Sequence, residues 1–396
     1  MTPFQPSGVD VDLARAHTPG CANVLHFNNA GASLPCDPVL RAITKHLELE
    51  SQIGGYEAEA QAQNAVEHTY DALARLLACS RDEVALVENA TRAWDMAVYS
   101  LRFTPGDRIL IGRSEYASNV IAFLQIAQRT GVRVDVVPDD AWGQIDLAAL
   151  ERMIDDRVRL IALTHIPTNN GLVNPAAAVG AIARRAAVPF LLDACQSAGQ
   201  LPLDVDALGC DMLSGTGRKF LRGPRGTGFL FVRRQWIERL EPPFLDLQAA
   251  QWTGPSSFAV RNDARRFETW EGFVAGRIGL GVAVDYALSL GLENIAHRVS
   301  TLGAQLRDRL RDLNGVTVHD AGRVQCGIVT FSRAGEDATA ILQRLRAARI
   351  NVSVTQPSHA RLTAGTSGAE PLVRASVHYY NTDKEVDRFC AVLAGA

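Results

Sequence analysis

Between residues 84 and 232, short apolar runs closed by turn residues alternate with stretches of helical period. Few folds satisfy that pattern. Strands buried on both faces read as unbroken apolar runs, and strand–helix–strand units of this spacing build a parallel sheet with crossover helices. The expected strands are 83–87, 108–111, 133–137, 158–164, 190–193, 211–214 and 228–232, with helices over 93–101, 119–130, 147–154 and 176–186. Helices are also expected over 39–50 and 57–77, joined at Gly54-Gly-Tyr56. Beyond residue 285 the pattern changes to a helix over 287–313, strands 316–319 and 327–332, a helix 338–348, strands 350–354 and 372–377, and a last helix from Asp383. The expectation is an α/β fold with a large domain over 36–284 holding a mainly parallel seven-stranded sheet. A small α+β domain over 285–396 packs on it, and residues 1–35 form an arm that belongs to the smaller unit.

A chain of 396 residues exceeds what one core fills. Its net charge of -3 leaves no footprint for nucleic acid or an anionic membrane surface. No apolar run reaches the ~20 residues of a spanning helix, and the first residues lack a basic stretch followed by an apolar one. The seven cysteines are an odd number, widely spaced, with no Cys-x-x-Cys pair, which argues against a disulfide framework or thiolate metal site and suits a reducing compartment. The nine histidines form no His-x-x-x-His pair, so no metal is expected. The expected location is the cytoplasm.

In parallel sheets, ligands bind beyond the carboxyl ends of the strands, and the polar segments of interest all fall there. Asp193 closes the apolar strand 190–193 and is followed by Ala-Cys-Gln196; Lys219 lies in the glycine-rich run Ser214-Gly-Thr-Gly-Arg-Lys-Phe-Leu-Arg-Gly223. An amine and a carboxylate so placed are what pyridoxal phosphate (PLP) chemistry requires: a Schiff-base lysine and an anion for the pyridinium nitrogen. Taken alone, the lysine reads equally as a surface residue beside a turn. Val87-Glu-Asn-Ala-Thr-Arg92 joins a strand to a helix, so the amides of Ala90 and Thr91 suit a phosphate, although an Asn or Thr cap explains the same residues. Tyr116, in Glu115-Tyr-Ala-Ser-Asn119, offers a face for a flat ring, with the hydrogen-bonding Asn119 three residues on. His165-Ile-Pro-Thr-Asn-Asn-Gly171 adds small polar groups at the same sheet end; His165 itself reads as a structural histidine.

In that order, from His26-Phe-Asn-Asn-Ala-Gly-Ala-Ser-Leu-Pro35 to Arg374-Ala-Ser-Val-His-Tyr-Tyr-Asn-Thr382, the segments resemble the fold-type I PLP enzymes of the class V aminotransferase group. That group includes cysteine desulfurases, selenocysteine lyases, isopenicillin N epimerases and kynureninases. The resemblance implies Lys219 as the Schiff-base lysine, Asp193 as partner of the ring nitrogen, Gln196 on the ring hydroxyl, and Tyr116 stacking on the ring. It implies Ala90, Thr91 and Thr216 at the phosphate, Asn169 and Arg218 as further cofactor contacts, Arg374 as the grip on the substrate carboxylate, and Asn29 and Ala30 beside the substrate. A bidentate guanidinium–carboxylate pair makes physical sense of Arg374. A homodimer with active sites at the subunit interface is also implied.

Departures matter too. Desulfurases carry His immediately before the lysine, where this chain has Arg218. Their persulfide-forming cysteine falls where this chain has Val352-Ser-Val-Thr355, and no cysteine occurs between Cys326 and Cys390. Cys195 reads as a small buried residue inside the cofactor strand. The run that supplies a phosphate-binding Thr to the partner subunit is replaced by Phe267-Glu-Thr-Trp-Glu271. Without a nucleophilic thiolate there is no acceptor for sulfane sulfur. The expected activity is therefore carbon–sulfur β-elimination from a cysteine S-conjugate without a protein persulfide. Epimerisation of the isopenicillin N type, transamination, and decarboxylating oxidative deamination of such conjugates stand as alternatives. A non-catalytic PLP-binding regulator is the alternative of a different class.

Overall fold

The computed structural model describes residues 8–364 and 370–395. Its largest sheet has seven strands: β1 (Val84–Val87), β2 (Arg108–Ile111), β3 (Arg133–Val136), β4 (Val158–Thr164), β5 (Phe190–Asp193), β6 (Met212–Thr216) and β7 (Gly228–Val232). The spatial order is β1-β7-β6-β5-β4-β2-β3, all parallel except β7, which runs antiparallel to both neighbours. Alternate residues serve two separate cores. Ile161, Leu163, Phe190 and Leu192 point to one face; Leu160, Ala162, Leu191 and Met212 point to the other. Burial on both sides is why these strands read as unbroken apolar runs.

Helices α1 (Asp37–Ile53) and α2 (Gln63–Leu77) precede the sheet; α3 (Ala90–Tyr99), α4 (Ala117–Thr130), α5 (Leu147–Met153) and α6 (Ala176–Arg185) connect its strands. Trp94 of α3 and Phe123 of α4 fill one core, while Leu73 of α2, Leu150 of α5 and Val179 of α6 fill the other. Strand and helix boundaries in this region lie within about three residues of those expected.

Three expectations need correction. The helix expected over 57–77 is interrupted at Ala62, giving Gly55–Gln61 and then α2. The helix expected over 287–313 is instead two, α7 (Val274–Leu290) and α8 (Leu292–Arg311), bent by 79° at Gly291. Gly291 has φ +81°, a conformation that ends a helix and that only glycine adopts without strain. The strand expected over 350–354 divides: Ile350–Asn351 pairs in parallel with Leu25–His26, whereas Ser353–Val354 joins a second sheet.

An exposed hairpin formed by β8 (Ala250–Gly254) and β9 (Ser257–Val260) has no counterpart in the sequence reading. The second sheet is antiparallel, with strands β10 (Val316–Val318), β11 (Ile328–Arg333), β12 (Ser353–Val354) and β13 (Val373–Ser376) in the order β10-β11-β13-β12. Helices α8, α9 (Ala338–Ala347) and α10 (Asp383–Ala394) cover it around Leu306, Ile341, Val373 and Phe389. Phe27 O accepts from Ser376 N at 2.7 Å, tying the N-terminal segment to β13. Among the described residues no single helix is long and apolar enough to cross a membrane.

Candidate active site

Thr164 and Asp193, at the carboxyl ends of β4 and β5, are register neighbours of each other, and Asp193 is the register partner of Ser214 within β6. A cavity of about 510 Å³ opens beyond them. One end is lined by Asn89, Ala90 and Thr91 at the start of α3, together with Thr216, Arg225 and Gly226. Gly228 makes that end possible: a Cβ there would meet Asn89 Cα at 2.8 Å and Gly215 O at 2.8 Å, so only glycine lets β7 begin beneath the helix. Asn89 caps α3 through its Oδ1, which accepts from Arg92 N at 2.9 Å. The N-terminal amides and helix dipole favour an anion at this end.

Asp193 is buried on the floor of the cavity. Its Oδ2 accepts from Asn119 Nδ2 at 2.9 Å and its Oδ1 from Cys195 N at 2.8 Å. Burial raises its pKa, against the opposing pull of these donors and of Lys219. Lys219 is 7% exposed. Burial depresses its ammonium, with help from Arg218 and Arg374 and against Cys195 and Asp193, which moves it toward the free amine a nucleophile needs. It is the only buried lysine of the three in the chain; Lys45 and Lys384 are exposed. Gly199 secures the lysine from below. With φ +81° and an imagined Cβ 2.5 Å from Leu221 N, it lets the turn after Gln196 press on the backbone after Lys219.

Tyr116 lines the opposite wall and is 39% exposed. Gln196 donates from Nε2 to Ala30 O at 3.1 Å, while its Oε1 is buried without a partner. Thr216 lines the cavity and donates to Thr227 O at 3.2 Å. Arg218 also lines it.

Arg374 stands on β13 behind that wall. It donates from NH1 to Thr168 Oγ1 at 2.7 Å and Thr168 O at 3.1 Å, and from NH2 to Asn28 Oδ1 at 3.3 Å; its Nε is buried without a partner. Among the described residues no carboxylate pairs with it. Burial pushes its pKa down to about 10, with Tyr116 opposing and Arg218 adding to the effect. A guanidinium enclosed without an anion is a costly arrangement that an incoming carboxylate relieves.

Four expected site residues do not line the cavity. Arg374 reaches it only through Thr168, which does. Asn169 lies off the lining. The Asn29 side chain is consumed by the fold, donating to Ser376 O at 2.7 Å and His26 O at 3.2 Å and accepting from Tyr380 OH at 2.5 Å. Ala30 likewise bonds Ser376 Oγ through its N–H and Gln196 through its carbonyl. The neighbour Asn28 is the one that turns toward Arg374.

Cys195 is not inside the strand as expected but lines the cavity beside Lys219, with its thiol pushed up by burial. His165 does not line the cavity, and burial lowers its pKa to about 4, so it stays neutral. Asn119 was singled out only as a neighbour of Tyr116, and the sequence offers no sign of its bond to Asp193, 74 residues away. Arg225 is given no role in the sequence reading, and Thr168 reads only as one of the small polar groups of 165–171, because its bond to Arg374 leaves no local signal.

Together these groups fit the expected cofactor. The helix start would take the phosphate, Tyr116 and Asp193 would face the ring, and the orphaned Gln196 Oε1 and the buried Lys219 complete the surroundings. Among the described residues no cluster of His, Cys, Asp and Glu could hold a metal ion.

A probable cysteine desulfurase of Xylella fastidiosa (strain 9a5c) is 31% identical over 395 residues, covering 97% of this chain and 93% of the relative. One from Methanothermobacter thermautotrophicus is 28% identical over 386 residues, covering 95% and 94%. Among solved structures, the apo cysteine desulfurase of Thermococcus onnurineus NA1 superposes with a TM-score of 0.90 at 24% identity, covering 100% of this chain and 99% of that one. The cystine C–S lyase C-DES, in complex with its reaction product cysteine persulfide, gives 0.86 at 25%, covering 95% and 99%. Residues 25–389 match the aminotransferase class-V family, and with this site at its strand ends the chain belongs to that family.

Proposed function

We propose that the protein is a PLP-dependent carbon–sulfur lyase that acts on a cysteine carrying a substituent on sulfur, and that sulfur leaves with that substituent rather than on a protein thiol. The observation that supports this most is the distribution of thiols. Among the described residues Cys195 is the only one lining the cavity, and burial holds it protonated beside Lys219. Val352–Thr355 carries none. Cys326 is buried, with its thiol pushed up to about 11. A protonated, enclosed thiol is a poor acceptor of sulfur.

PLP supplies an electron sink for negative charge developing at the substrate Cα. The chain's own residues do the rest. The start of α3 with Thr91 and Thr216 holds the phosphate. Asp193, fixed by Asn119 and the Cys195 amide, would accept from the protonated ring nitrogen, and Tyr116 would offer its face to the ring. Arg374 donates its fork to the substrate carboxylate, with Thr168 orienting it. Lys219, poised as an amine by its enclosure, takes the proton from Cα. The Cβ–S bond then breaks with its electron pair leaving on sulfur, and the aminoacrylate left behind hydrolyses to pyruvate and ammonia. The solved C–S lyase, whose reaction product is cysteine persulfide, supports the reaction class.

The same reading takes residues 36–284 as the cofactor-binding domain, 285–396 as the smaller one with the 1–35 arm upon it, and the cytoplasm as the location. The separate core of the second sheet supports the division, while Ala14, Ile295, Val299, Tyr379 and Tyr380 join the core of the first. It also takes the protein to be a homodimer, supported by the exposed aromatic residues Tyr56, Trp270 and Phe273 around a second cavity. Purified enzyme should be offered cystine, S-alkyl cysteines and free cysteine, with products read by mass. Release of pyruvate with an intact thiol or persulfide is expected. Labelled sulfur bound covalently to any of the seven cysteines would overturn the reading in favour of a desulfurase with a relocated nucleophile.

A further inference from the structure

Glu115 follows the end of β2 and is 6% exposed, with no cation beside it. Its carboxylate is gripped instead by neutral donors. Oε1 accepts from Thr164 N and Oε2 from Thr164 Oγ1, both at 2.7 Å, and the Asn119 side chain lies close enough to favour its ionised form. Asn119, 2% exposed, donates from its amide to Asp193 Oδ2 at 2.9 Å. Thr164 is also the register partner of Asp193 across the β4–β5 pair. One side chain in the connection between β2 and α4 therefore braces Asp193 by two routes, through the sheet and through α4.

An enclosed carboxyl without a charge partner costs several kcal/mol if ionised, and here burial, with Asp193 adding to it, raises Glu115 to about 7. Such a group is worth its cost only if it fixes something. What it fixes is a side-chain amide that could otherwise rotate. A terminal amide or carboxylate torsion is broad, so Asp193 takes its orientation from the Cys195 amide at one oxygen and from Asn119 at the other, and Glu115 braces the Asn119 side.

We propose that Glu115 is a positioning residue of the cofactor-ring site, which by anchoring the Asn119 amide and Thr164 holds the Asp193 carboxylate in the orientation that keeps the ring nitrogen protonated. This rests on the PLP reading above. Gln at 115 keeps an acceptor for the Thr164 amide and offers a donor to Thr164 Oγ1; Ala keeps neither, and Asn119→Ala removes the link itself.

The test loads wild type, Glu115→Gln, Glu115→Ala and Asn119→Ala with PLP carrying ¹⁵N at the ring nitrogen, and reads that nitrogen's chemical shift together with kcat and KM. Wild type and Glu115→Gln should give the protonated-ring shift. Glu115→Ala and Asn119→Ala should move toward the unprotonated value, with kcat about tenfold lower and KM within about twofold, the signature of a loss confined to the reacting state. A protonated ring with wild-type kcat in Glu115→Ala overturns the proposal, as does Glu115→Gln behaving like the alanine variant. Should Glu115→Ala not fold, an unchanged ring shift in Asn119→Ala overturns it on its own. A wild-type protein in which borohydride fixes no PLP to Lys219 would bring down the functional reading and this inference together; wild-type fixation with unmoved variants would bring down only this one.

Discussion

Replacing Arg374 with methionine should make the protein more stable and much worse at binding its substrate. Burial lowers the guanidinium from its ordinary value to about 10, because it is enclosed without an anion. Each unit is 1.36 kcal/mol, so the shift corresponds to about 3 kcal/mol of unfavourable burial. For a base whose folded value is depressed, that cost is full wherever both states are charged. It is therefore fully present at pH 7 and lifts only as pH rises above about 10 toward the ordinary guanidinium value. The bonds to Thr168 and Asn28 offset about 1 kcal/mol or somewhat more, and solvent at the mouth of the site trims the remainder. Arg374→Met, which keeps the stem and loses the charge, should thus gain about 1 to 2 kcal/mol at neutral pH. Loss of a charge-assisted fork to the substrate carboxylate should cost about 2 to 4 kcal/mol of binding, or roughly 30- to 1,000-fold. Urea unfolding of the PLP-loaded enzyme with matched m-values measures the first quantity, and the concentration dependence of turnover measures the second. Arg374→Lys, with a point charge in place of the fork, should keep the instability and lose most of the binding. A methionine variant that is less stable than wild type yet binds substrate equally well would refute the idea of a guanidinium waiting for a carboxylate.

Lys219→Ala should retain the fold, since the lysine's ammonium contributes no paired charge, but borohydride should then fix no cofactor to the protein; peptide mass mapping checks this. Cys195→Ala should turn over substrate within about threefold of wild type, because truncating a small neutral thiol removes only modest packing; a loss beyond about a hundredfold would give the thiol a chemical role. Gly228→Ala should weaken PLP binding at least about tenfold, because its Cβ would meet Asn89 Cα at 2.8 Å and displace the start of α3. Fluorescence titration with PLP would detect this, and unchanged affinity would separate the phosphate end of the cavity from that helix.

The sequence by itself determined the sheet and the two ends of the chemistry. Runs such as Leu160–Leu163 and Phe190–Leu192 are apolar without interruption because both faces of the sheet are covered, so their identity as parallel strands was written locally. Asp193 and Lys219 were legible for the same reason: each closes or follows such a run, and strand ends are where this architecture exposes polar groups. Only the tertiary structure decided the remainder. Helical periodicity carries on past Gly291, and the 79° bend between α7 and α8 came from one positive φ. Asn28 and Asn29 are adjacent and chemically identical, yet one faces Arg374 and the other is locked to Ser376 and Tyr380. The bonds that complete the site join residues 74 apart, as for Asn119 and Asp193, or 206 apart, as for Arg374 and Thr168. A local pattern fixes which backbone a segment adopts, because periodicity and turn chemistry act within a few residues. Which polar atoms end up buried, which find partners and which are left open for a ligand depends on packing between segments remote in the chain.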